Sequence, residues 1–66
     1  MTKKEYRIKI VEVDTGKLVT DLGSHKFLHD VNEPAYSEYF ARSYGEDYME
    51  NEGFATDELK VVVAEV

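Results

Sequence analysis

Apolar positions recur with a period of two at both ends of this chain and with a helical period in its middle. In "EYRIKIVEV" (residues 5–13) Tyr6, Ile8 and Ile10 alternate with Arg7 and Lys9, after which Val11 and Val13 move the apolar parity to the other side. Alternation predicts a strand with one face in a core. The switch predicts a bulge, or a strand end covered on both faces. Asp14-Thr15-Gly16-Lys17 follows, an acid opening a turn and a glycine two places on where positive φ is needed, which predicts a hairpin. "KLVTDL" returns as the second strand, and Gly23-Ser24 breaks it. The next stretch, residues 25–31, fits one helical turn through Phe27, Leu28 and Val31. Lys26-Phe27-Leu28 also fits a short third strand, and a short strand or extended segment is the expectation.

Asn32-Glu33-Pro34 has the chemistry of a helix start: a capping side chain, an acid in the first turn, and a proline where its missing N–H costs nothing. Projecting the residues that follow at about 100° each, with Tyr36 at zero, puts Phe40 near 40° and Tyr44 near 80°. These three share one narrow face and are expected to pack on the sheet, hydroxyls at its rim. Tyr39 and Tyr48 fall about 180° apart by the same projection. One small sheet cannot cover both, so at least one of them should be substantially exposed. Gly45 interrupts the pattern at a cost of about 1 kcal/mol relative to alanine; a helix to Tyr44 followed by a bend or a continuation is expected, with Gly53 as terminator. "ELKVVVAEV" (residues 58–66) is the last strand, apolar on both faces. Left on an open edge it would aggregate. It is expected beside the first strand, antiparallel to it, in the centre of the sheet or against a partner chain. The pattern as a whole predicts one α+β domain over residues 1–66: an N-terminal β-hairpin, one main helix packed on a three- or four-stranded, mostly antiparallel sheet, and a C-terminal strand.

Composition narrows what such a domain can do. The 66 residues include no cysteine, which removes disulfides and thiolate metal sites. A chain of this size buries only about 60% of its unfolded surface, so association into a homo-oligomer is one expected source of stability. No signal-peptide core opens the chain, and the longest strictly apolar run is Val61 to Ala64. A cytoplasmic or virion-internal protein with no membrane partner is expected. The net charge is −6, and it is unevenly placed: residues 1–31 hold six Lys/Arg against five Asp/Glu, residues 32–66 two against nine. The acidic second half repels phosphate, which argues against direct binding to nucleic acid or to an anionic membrane, and it steers basic partners.

Few residues carry reactive chemistry. His25 and His29 stand four apart, a spacing that binds zinc on a helix, but no third ligand accompanies them and no Glu follows the first. Setting Gly53 at the glycine of a calcium loop puts Tyr48 and Leu59 where the two strongest carboxylate ligands belong. Neither histidine has a serine partner legible in the sequence, no glycine loop cradles phosphate, and the carboxylates sit on polar surfaces. The chain is therefore read as a non-enzyme without cofactor or metal.

What remains is the segment from Asn32 to Gly53, with four of the five tyrosines and six of the fourteen acids. The expectation is a small acidic protein-binding or regulatory module, acting through Tyr39, Glu46, Asp47, Tyr48 and Glu50 on another protein with a basic surface. A sharper version is an inhibitor in which Glu46 and Glu50, one helical turn or about 6 Å apart, imitate nucleic-acid phosphates. The alternative is a non-catalytic assembly subunit that self-associates through the last strand or the tyrosine face.

Overall fold

A computed structural model describes residues 2–33, 35–55 and 57–66. Strands β1 (Thr2–Glu12) and β2 (Leu18–His29) form the hairpin, helix α1 (Tyr36–Glu52) crosses the sheet, and β3 (Leu59–Glu65) returns beside β1. The sheet is antiparallel throughout with the order β2-β1-β3. This is the expected α+β domain with three strands. One expectation is overturned: β1 lies in the centre, and the valine-rich β3 is an edge. β1 holds this place because Tyr6, Ile8 and Ile10 meet both neighbours and the helix at once. Ile8 and Ile10 are fully enclosed, each contributing about 1.5–3 kcal/mol of transfer free energy.

The hairpin turn forms where expected, with Gly16 at φ 73° and the ladder closed by the Glu12 N–H donating to the Lys17 carbonyl. Gly23-Ser24 does not end β2. It is absorbed as a bulge: Ile8 faces Gly23 while Lys9 faces Asp21, leaving Leu22 as the extra residue, and a second shift frees Val19. Gly23 supplies the positive φ of 79°, and its N–H donates to Asp21 Oδ1. Asp21 Oδ2 accepts from Arg7 Nε at 3.1 Å. The Arg7 guanidinium and then the Gly23 N–H hold the Asp21 carboxyl below its usual range. The parity switch in β1 has both predicted causes. The partner strand is bulged opposite it, and Val11 is buried outside the main core cluster, on the face away from the helix.

The helix start differs from expectation. Its N-cap is Ala35, without a side-chain cap bond. Asn32 instead sits in a turn in which its N–H donates to Asp30 Oδ1 and the Glu33 N–H donates to the Asp30 carbonyl. The helix begins at Tyr36 with Ala35 as its N-cap, so Asn32 and Glu33 both precede its first turn, which holds Glu38 as its acid. The proposed role of Pro34 falls outside the described residues. At the other end Gly53 stops the helix as expected, in the left-handed conformation at φ 72°, with the Phe54 N–H reaching back to the Met49 carbonyl at 2.9 Å.

Candidate protein-binding face

The helix meets the sheet through Ser37, Ala41, Gly45 and Met49, four residues spaced by four and all buried. This corrects the expectation that Tyr36, Phe40 and Tyr44 form the buried face: they are 47%, 36% and 43% exposed. The reason is distance. A Cβ on Gly45 would lie 2.5 Å from Val61 Cγ1 and 3.2 Å from Ile8 Cγ2, so the backbone approaches too closely for rings to fit between. The rings are pushed to the flank of α1 that faces β2. There Tyr44 lies against His25 and Phe27 with ring centroids 4.6 and 6.1 Å away. Nearer the N-terminus Phe40 makes edge contacts with Tyr36 and Tyr39, at 4.7 and 6.0 Å, and Tyr36 and Phe40 line a shallow depression with Leu28.

The five residues expected to form the binding face separate. Tyr39 is 66% exposed and lies on the outward stripe with Glu46 and Glu50; all three fall within about 40° of one another on the helix. Asp47 is exposed beside them. Tyr48 turns inward, half-buried against the core and Phe54, with ring centroids 5.9 Å apart. The geometric expectation that Tyr39 and Tyr48 could not both be covered holds, with Tyr39 the exposed one. Among the described residues the only ion pair on α1 joins Arg42 to Glu38, at 3.2 Å. Glu46, Asp47, Glu50 and Glu52 have no cationic partner there.

Arg42 also has a second role that the sequence did not disclose. Its Nη1 donates to the Val61 carbonyl at 3.3 Å, bridging the helix to the edge strand. Between them runs a groove of about 480 Å³, with Met49, Leu59 and Val61 at its base, Glu46 and Glu50 beside Arg42 on the helix side, and Lys60 on the strand side.

Cationic residues gather elsewhere. Cross-strand register and strand alternation place Lys3, Arg7, Lys9 and Lys26 on the sheet face turned away from α1, with Glu5 and Asp21 the acids there among the described residues; Lys60 shares that parity and also lines the groove. The molecule is therefore bipolar, with an acidic helix side and a basic open sheet side.

The histidines are occupied structurally. Both lie on β2, about 13 Å apart along a strand, too far to share a metal ion. Among the described residues no group of three or more metal-ligating side chains forms. His25 Nε2 donates to the Leu22 carbonyl at 2.8 Å. His29 has a serine neighbour after all: Ser37 Oγ is 3.1 Å from its Nδ1 and 2.9 Å from Tyr6 Oη. The pairing joins residues from three elements, which is why spacing along the chain concealed it. Ser37 is fully enclosed and its hydroxyl is shared between two partners, so the trio is a satisfied core network. Among the described residues, no helix is long and apolar enough to cross a membrane. No protein-family model, curated protein or solved structure matches the chain.

Proposed function

We propose that this protein is a small acidic binding module that docks on a basic surface of another protein through the outward side of α1, with Tyr39, Glu46, Asp47 and Glu50 as the contact residues. The observation that supports it most is the conjunction of a tyrosine 66% exposed with carboxylates that have no ion-pair partner among the described residues. Tyrosine supplies large contact area at low entropic cost, and it is enriched at the energetic centres of interfaces. Unpaired carboxylates around it raise the association rate of a basic partner and select against acidic ones. The phosphate-imitating version has a short row to work with. Arg42 engages Glu38, which leaves Glu46, Asp47 and Glu50, little more than one turn. A basic protein surface is thus the partner this reading requires, in a cytoplasmic setting and without catalysis.

The test is capture from native host extract with wild-type protein and with the Glu46→Lys/Glu50→Lys double variant. The wild type should retain a specific partner that is released as salt rises from about 50 to 300 mM, a range over which exposed charges become screened. The double variant should lose that partner while keeping its circular dichroism spectrum. Retention of the same partner by the double variant would remove the acidic face from the reading.

A further inference from the structure

The outer edge of β3 is open, and hydrogen-bond parity shows which of its groups are available. The Val13 N–H donates to the Glu58 carbonyl and the Val66 N–H to the Glu5 carbonyl, at 3.0 and 2.9 Å. Counting inward from both ends, even-numbered residues of β3 bond to β1, and odd-numbered residues turn N–H and C=O outward. The Val61 carbonyl points outward by this count, and it is the carbonyl that Arg42 caps. Among the described residues nothing bonds to the outward backbone of Val63 or Glu65. The opposite edge is different: β2 carries two register shifts, and bulges blunt an edge against further pairing. β3 runs without a shift and is flanked by the groove under α1.

We propose that a basic peptide segment of the partner binds here as a fourth, antiparallel strand on β3, its arginine or lysine side chains entering the groove. This deepens the acidic-module reading and rests on it. Strand addition draws affinity from main-chain hydrogen bonds and specificity from alternate side chains. The groove sets the chemistry of those side chains: an apolar base formed by Met49, Leu59 and Val61 for a long stem, and Glu46 with Glu50 on the helix side for a cationic head, across from Lys60 on the strand side. Arg42 is the placeholder in the unbound protein, a guanidinium already in that groove and already on an edge acceptor. An incoming strand takes over the Val61 carbonyl, and Arg42 retains Glu38.

The probe is a fluorescent octapeptide of alternating arginine and threonine, followed by anisotropy and by amide exchange in NMR spectra. In antiparallel pairing, the residues that bond to the outward groups of Val61 and Val63 share their sheet face, so they are the arginines. N-methylation of the arginines should weaken binding at least about tenfold, since it deletes two or more hydrogen bonds. N-methylation of the threonines, at equal charge, should leave binding nearly unchanged. With unmodified peptide bound, the amides of Val63 and Glu65 should exchange more slowly by a similar factor. Arg42→Ala should tighten binding about two- to tenfold by removing one competing hydrogen bond. Equal binding of the two methylated peptides overturns strand addition. If Glu46→Lys/Glu50→Lys still loses the peptide in that case, the acidic-face reading survives alone. Protection of the Val63 and Glu65 amides that rises with protein concentration, with no peptide present, overturns the proposal in favour of edge pairing between two copies.

Discussion

Gly45 decides how this helix sits. Glycine in a helix interior costs about 1 kcal/mol against alanine, and removing that cost would ordinarily stabilise the protein. Here the added methyl meets Val61 and Ile8, both core residues, at 2.5 and 3.2 Å. Val61 is β-branched and stiff at its first torsion, so it cannot swing aside. Gly45→Ala is therefore expected to destabilise the fold by about 1–3 kcal/mol, the usual range for overpacking, measured as a lower urea midpoint with unchanged slope. A rise in the midpoint would mean that the helix can lift from the sheet at little cost. Ser37 belongs to the same row and shows the polar counterpart. Its hydroxyl satisfies both Tyr6 and His29, so a side chain that favours helix caps and turns is stable inside a core because each buried polar atom has a partner.

The charges of α1 oppose its own dipole. Its last turn has no basic residue and holds Glu50 and Glu52, where the partial negative charge of the helix C-terminus favours cations. Glu52→Lys should raise stability by about 0.3–1 kcal/mol at low ionic strength, with the gain shrinking as salt is added. A loss in thermal-melt comparisons would assign Glu52 a structural contact. An element that retains unfavourable charge beside the groove holding Glu46 and Glu50 is consistent with the binding role proposed for that surface. Natural proteins commonly hold function at a cost in stability. β3 makes the same point in backbone terms, with a valine-rich edge guarded by one guanidinium in place of a strand.

Taken whole, the molecule separates its charge by side, with basic residues on the open sheet and carboxylates along the helix. The net charge of −6 on a small domain produces self-repulsion that ions relieve. Raising sodium chloride from about 10 to 300 mM shortens the Debye length from about 30 to 6 Å, and the melting temperature should rise by several degrees. A shift of 1 kcal/mol corresponds to about 4–8 °C for a domain near this size. A falling melting temperature would show that attraction between the two sides dominates.

The sequence alone determined the features that depend on neighbouring residues. Alternation in residues 5–13, the turn at Gly16, the helical period after residue 35, the stop at Gly53 and the excess of rings over available sheet were all legible. These follow from local sterics and from counting side chains on a wheel. Helical projection puts Tyr36, Phe40 and Tyr44 on the buried face and makes Gly45 an interruption, whereas the buried row is Ser37, Ala41, Gly45 and Met49; hydrophobic size was a poor guide where backbone distance was limiting. Only the tertiary structure decided that β3 is an edge, that Gly23 bends β2 without ending it, that Arg42 guards the Val61 carbonyl, and that Ser37 joins His29. Each depends on residues from separate elements meeting in space, and spacing along a chain contains no measure of that.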